Sequence, residues 1–149
     1  MTYNEQRTKL LQALSVLEKE NPITRVSSPK DIYGTIRKYG KKKQEHFIVI
    51  CLNGAHQVIK VKVITIGVLN RCLVHPREVF RPAIINNSAS IIIAHNHPSG
   101  TLTPSPNDDK LTAKIKQGLK IFDITLMDHI ILSKDGYYSY ADEGNSALS

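Results

Sequence analysis

The run Ala89-Ser90-Ile91-Ile92-Ile93-Ala94 constrains this chain more than any other stretch. It is short, almost wholly apolar and rich in β-branched isoleucine, so it predicts a buried strand. It leads directly into His95-Asn96-His97-Pro98-Ser99-Gly100. Side chains alternate along an extended chain, so a His-x-His pair at a strand end carries both imidazoles on one side. Pro98 and Gly100 then break the strand and turn the chain. Ser105-Pro106-Asn107-Asp108 opens a helix and brings a carboxylate back towards that turn. Two imidazoles and a carboxylate form a donor set that zinc accepts, and catalytic zinc sites usually hold three protein ligands and keep the fourth position for water.

With 149 residues the chain has room for one domain with a real core. Its 41% hydrophobic and 22% charged residues place it among ordinary globular proteins rather than disordered chains. No apolar run approaches the ~20 residues of a membrane span, and the polar start Met1-Thr2-Tyr3-Asn4-Glu5-Gln6 does not resemble a signal peptide. Cys51 and Cys72 both lie in apolar, strand-like surroundings. They are expected to be reduced core residues of a cytoplasmic protein, because two cysteines make no disulfide framework. A net charge of +7 favours non-specific attraction to nucleic acid or another acidic partner. A lysine-rich solvated surface accounts for it equally well.

Residues 5–20 predict an amphipathic helix with Leu10, Leu11, Leu14 and Leu17 as its apolar stripe, ended by Asn21-Pro22. Ser28-Pro29-Lys30-Asp31 starts a second helix, with Ile32, Ile36 and Tyr39 on one face and Gly40 as its stop. Lys41-Lys42-Lys43 is expected to be a solvated basic turn. Gln44 to Leu52 predicts a strand, Asn53-Gly54 a hairpin turn and His56 to Val63 the return strand. Ile64 to Val74 continues as strand and loop. Pro76 begins a helix with Val79, Phe80, Ala83 and Ile84 facing the core. Pro106 to Gln117 is a helix with Leu111, Ile115 and Leu119 buried and Gly118 as C-cap. Ile124 to Ser133 and Tyr137 to Ala141 are strands around an Asp135-Gly136 turn, and the polar tail is expected to fray. Strands interspersed with helices indicate an α/β or α+β sandwich.

His95-x-His97-Pro98 with Ser105-x-x-Asp108 resembles the metal motif of the JAB/MPN (JAMM) metallohydrolases. The longer string His95-Asn96-His97-Pro98-Ser99-Gly100 with Pro104-Ser105 is similar to their RadC-like branch. Pro76-Arg77-Glu78-Val79-Phe80 and Asp128-His129-Ile130-Ile131 match as flanks. The resemblance covers residues 28–145, leaving 1–27 as an N-terminal helical extension. It implies a mixed central sheet flanked by helices, similar to the cytidine-deaminase-like fold. It also implies zinc as cofactor, with His95, His97 and Asp108 as ligands, Glu45 as general base and acid, and Ser105 as the donor to a developing oxyanion.

Other readings compete at several positions. Ser105 and Asp108 also form a capping box, N-cap serine with an acid at the third helical position, and a side chain that caps a helix is not easily free to ligate. Asp109 is the neighbouring carboxylate, one residue out of register with the family pattern. Glu78 is the other candidate glutamate, although a charge at a helix N-terminus explains it. His129 reads as a satisfied core histidine or as a further polar group near the site. His46, His56 and His75 show no partner pattern. Two function classes follow. One is a zinc-dependent hydrolase cleaving peptide or isopeptide bonds of a peptide or protein substrate. The other is a nucleic-acid-binding or DNA-repair-associated accessory protein, or a metal-dependent nuclease, using the same site. Neither a membrane partner nor an oligomeric state is indicated.

Overall fold

The computed structural model of the protein describes the backbone of residues 1–20, 25–67 and 74–149 and, outside 15–20, their side chains. The predicted isoleucine strand is β3, Ser90–Asn96, and every residue in it is buried. It lies in the middle of a five-stranded sheet ordered β2-β1-β3-β4-β5. The other strands are β1 (His46–Leu52), β2 (Val58–Ile66), β4 (Thr125–Leu132) and β5 (Tyr137–Ser139). β1 runs antiparallel to both β2 and β3, β3 is parallel to β4, and β4 is antiparallel to β5. The mixed central sheet flanked by helices is therefore present.

Period-two alternation divides the sheet's apolar residues between two cores. On one face, Phe47, Val49, Cys51, Ile91 and Ile93 pack under two helices, α3 (Pro76–Ile85) and α4 (Pro106–Lys120), through Val79, Ala83, Ile115 and Leu119. On the other, Ile48, Ile50, Leu52, Ile92, Ala94, Ile130 and Leu132 pack with Ile32 and Ile36 of a shorter helix, α2 (Pro29–Ile36). Each fully buried isoleucine contributes on the order of 1.5–3 kcal/mol relative to exposure. Parallel strands cannot be joined by a tight turn, and α4 is the crossover from β3 to β4. The loop that leaves β3 and the N-terminus of α4 consequently meet at the carboxyl end of the central strands, where open α/β sheets place their ligands.

α1 spans Tyr3–Glu20 as expected, but Leu10, Leu11 and Leu14 are 61, 55 and 47% exposed. The sheet's two apolar faces already carry α2 on one side and α3 and α4 on the other, so the stripe does not join a core. Leu17, the Asn21-Pro22 stop, Cys72 and most of the 64–74 connection lie outside the described residues or side chains. No helix among the described residues is long and apolar enough to cross a membrane.

Asn53-Gly54 does not make a two-residue turn. The Asn53 side-chain oxygen accepts from the backbone N–H of Ala55 and Gln57, both at 2.9 Å. Such a local bond replaces a backbone turn, so the return strand starts at Val58, and His56 takes the left-handed conformation (φ 58°). Gly40 does not stop a helix. It sits within a 3-10 turn, Arg37–Lys41, with its Cα against the carbonyl of Ser133, where no side chain fits. Gly118 is likewise inside α4, which runs on to Lys120, because the Phe80 ring occupies the space a Cβ would take. Ile84 points outward at 44% exposure. The tail is ordered rather than frayed: Ser146–Leu148 forms a 3-10 turn, Leu148 packs on the α3/α4 core, and Lys116 Nζ donates to its carbonyl.

Candidate metal centre

Ile91, Ile93 and His95 alternate onto the α3/α4 face of β3, so the strand that builds the core also delivers His95 to its end. His95 is 1% exposed. His97 follows two residues on, past the strand end, and its Nδ1–H donates to the Thr101 carbonyl at 2.6 Å across the Pro98–Gly100 turn. Ser105 caps α4: Ser105 Oγ accepts from Asp108 N at 3.1 Å, and Asp108 Oδ2 accepts from Ser105 N at 2.8 Å. The same carboxylate faces both imidazoles. Its Oδ1 lies 3.3 Å from His95 Nε2 and its Oδ2 lies 3.3 Å from His97 Nε2. A carboxylate offers about four lone-pair directions, so the group that caps the helix still has acceptor positions facing the imidazoles.

Antiparallel pairing sets Phe47 opposite His95, which brings Glu45, two residues earlier on the same face, to the level of His97. Glu45 Oε1 stands 4.0 Å from His95 Nε2, and the side chain is 19% exposed. Asn96 points to the other face and is fully buried. Its Oδ1 accepts from His46 N at 2.6 Å, and its Nδ2 donates to the carbonyls of Lys42 and Gln44 at 3.2 and 3.0 Å. It thus clamps the backbone on both sides of Glu45.

The electrostatics suit a cation. His95 Nε2 and His97 Nε2 are only 2.9 Å apart, too close for two bare lone pairs, so a proton or a metal ion must lie between them. The Asp108 hydrogen bond, against an opposing burial effect, lifts the His97 imidazole above its ordinary value. Burial by itself would raise Asp108, but the His95 and His97 imidazoles beside it and the Ser105 amide hold it well below the carboxylate range. Burial lifts Glu45 above its ordinary value, partly offset by the two imidazoles. A carboxyl raised by burial beside such a cluster is a candidate proton carrier.

The remaining candidates lie elsewhere or serve other groups. Asp109 accepts from the Tyr140 hydroxyl at 2.8 Å. Glu78 is in the first turn of α3, its carboxylate 3.4 Å from the Thr65 hydroxyl. His46 bonds the Gln44 carbonyl, and His75 is the N-cap residue of α3. His129 is a satisfied core histidine and also touches the site, since its Nε2 is 2.8 Å from His95 Nδ1. Sequence reasoning missed Asn96 as a clamp and Thr112, whose hydroxyl bonds both His129 Nδ1 and the Asp108 carbonyl. Thr112 had one legible signal: it lies four residues after Asp108, on the same helix face.

A profile of the RadC-like JAB domain matches residues 26–145. The chain belongs to that family. It is 45% identical over 126 residues to a UPF0758 protein of Methanosarcina barkeri, covering 84% of this chain and 55% of that protein. It is 42% identical over 120 residues to one of Rubrobacter xylanophilus, covering 80% and 52%. It is 35% identical over 145 residues to one of Chlorobium chlorochromatii, covering 92% and 65%. The chain thus spans about half to two thirds of the length of these relatives. In this RadC-like JAB domain, His95, His97 and Asp108 bring ligand atoms within 4.8 Å of one another and could hold a metal ion.

Proposed function

We propose that this domain is a zinc-dependent hydrolase that cleaves peptide or isopeptide bonds of a peptide or protein substrate. The observation that carries the reading is the convergence of His95, His97 and Asp108, with the half-buried Glu45 carboxylate 4.0 Å from His95 Nε2, at the carboxyl end of the central strands. Imidazole and carboxylate together suit zinc, and three protein ligands are the usual set of a catalytic zinc site. Zinc held there supplies an acidified water and a Lewis acid for the scissile carbonyl. Glu45 takes a proton from the attacking water and returns it to the leaving amine, a role that a carboxyl raised by burial suits. Ser105 Oγ accepts from the α4 backbone, so its own proton remains available to the oxyanion that forms on the substrate. Asp108 is held by the Ser105 amide and His97 by the Thr101 carbonyl, so both enter the site with fixed orientation.

Elemental analysis of the wild type and of His97→Ala tests the site. About one zinc per chain, lost in the variant, is expected; equal metal in both removes His97 as a ligand. Glu45→Gln is expected to keep zinc and abolish zinc-dependent cleavage of a peptide library, and retained turnover removes Glu45 from the mechanism. A second reading, a nucleic-acid-associated protein or nuclease using the same residues, draws on the net charge of +7. DNA binding that falls steeply with salt, without peptide cleavage, would put it in place of the first.

A further inference from the structure

We propose that Thr112 and His129 form a one-way hydrogen-bond relay that fixes the proton of His95 on Nδ1 and so turns its Nε2 lone pair towards the metal position. The inference rests on the reading of His95, His97 and Asp108 as metal ligands, and it adds two positioning residues that bind no metal themselves. Its direction follows from donor and acceptor counting. The backbone carbonyl of Asp108 can only accept, so the Thr112 hydroxyl, at 2.7 Å, donates to it. That hydroxyl has a single proton. Its second contact, 2.6 Å to His129 Nδ1, must therefore be made by an Nδ1–H of the histidine. A neutral imidazole has one N–H, so His129 Nε2 is an acceptor. His95 Nδ1, 2.8 Å away, is then the donor. The proton of His95 is on Nδ1, and its Nε2 presents a lone pair towards His97 Nε2 and Asp108 Oδ1, at 2.9 and 3.3 Å.

The surroundings keep His129 in this neutral, singly protonated form. It is fully buried, stacked on the Tyr140 ring at 4.7 Å and faced by Phe47 at 6.1 Å. Burial in these aromatic surroundings disfavours a charge on the ring, and both of its nitrogens are already engaged. The relay also closes on itself. It ends on the main-chain carbonyl of Asp108, whose side chain faces the same His95 ring from the other side. Helix α4 thus orients two of the three ligands, Asp108 directly and His95 through Thr112 and His129. Partners that hold the far nitrogen of a metal-binding histidine are generally worth 10–100-fold in metal affinity.

The test uses Thr112→Val, which keeps the shape and deletes the hydroxyl, and Thr112→Ser, which restores it. Zinc affinity is measured by chelator competition, and long-range proton–nitrogen NMR of the histidine rings reads which nitrogen carries the proton in the metal-free protein. Wild type should show His95 and His129 protonated on Nδ1. Thr112→Val should weaken zinc binding by ~10–100-fold and shift the His129 proton towards Nε2, and Thr112→Ser should recover both within about threefold. Wild-type His129 protonated on Nε2, or unchanged zinc affinity in Thr112→Val, overturns the relay. Failure of the metal reading looks different: wild type would bind no zinc, while the ring protonation would still confirm or refute the relay.

Discussion

Asn96→Ala removes the clamp that fixes Glu45, and its cost can be worked from the structure. The side chain makes three hydrogen bonds in a fully buried position: one accepted from His46 N–H at 2.6 Å and two donated, to the Gln44 and Lys42 carbonyls at 3.0 and 3.2 Å. Each such bond is worth about 1 kcal/mol net, and a buried partner left without one costs about 1–3 kcal/mol. Alanine strands the His46 amide and two carbonyls at once, so the loss should be about 3 kcal/mol. In a domain of this size that is a fall in Tm of ~6–12 °C. Asn96→Asp is nearly isosteric and separates the contributions. It still accepts from His46 N–H, but it turns both donors into acceptors aimed at carbonyls and buries a charge. At neutral pH it should destabilise at least as much as alanine. Urea unfolding of the metal-free protein measures both variants. A loss below about 1 kcal/mol in Asn96→Ala, or an Asn96→Asp variant more stable than Asn96→Ala at pH 7, would refute the clamp.

Three further outcomes follow from contacts already described. Gly40→Ala drives a methyl into the Ser133 backbone carbonyl, which cannot swing away; unfolding should show a loss of ~1–3 kcal/mol, and unchanged or higher stability would contradict that packing. The Ser27 and Ser28 amides hold the Asp31 carboxyl below its ordinary value. Its contribution is therefore present above the unfolded value of about 4 and lost as pH falls through the lower folded value, so Asp31→Asn, compared by acid titration, should lack that part of the slope. Asp108→Asn keeps an oxygen for the Ser105 amide but removes the charge that faces the imidazoles; hydrogen exchange should show the Ser105 amide still protected, with zinc affinity down at least ~10-fold.

The parts of the fold that follow from short-range rules were legible in the sequence. The isoleucine run had to be a buried strand, and alternation put His95 and His97 on one side before any partner was known. The Ser28 and Ser105 helix starts were legible too, because capping involves residues three apart. The contacts that organise the site are not of that kind. Asn96 reaches His46 across 50 residues and His95 reaches His129 across 34, and both distances are set by strand register rather than by local pattern. The same limit explains the errors. Leu10, Leu11 and Leu14 have core periodicity without a free face to pack on, and Gly40 and Gly118 look like helix stops but are small because Ser133 and Phe80 press on them.

Asp108 shows why local and global signals were hard to weigh against each other. The sequence offered a choice between a capping acid and a ligand, since one side chain was assigned one task. The structure shows one rigid group that caps the helix and could also hold a metal ion. The Ser105 amide fixes the carboxylate plane through Oδ2, and the imidazoles then approach it at 3.3 Å on each oxygen. The cap supplies the orientation that a ligand needs, so its presence strengthens the metal reading instead of weakening it. The same economy recurs at Thr112, where one hydroxyl closes a helical turn onto the Asp108 carbonyl and engages His129. The first turn of α4 is therefore both a helix start and one wall of the site, and substitutions there are expected to change helix stability and metal affinity together unless, as with Asp108→Asn, they preserve the acceptor while removing the charge.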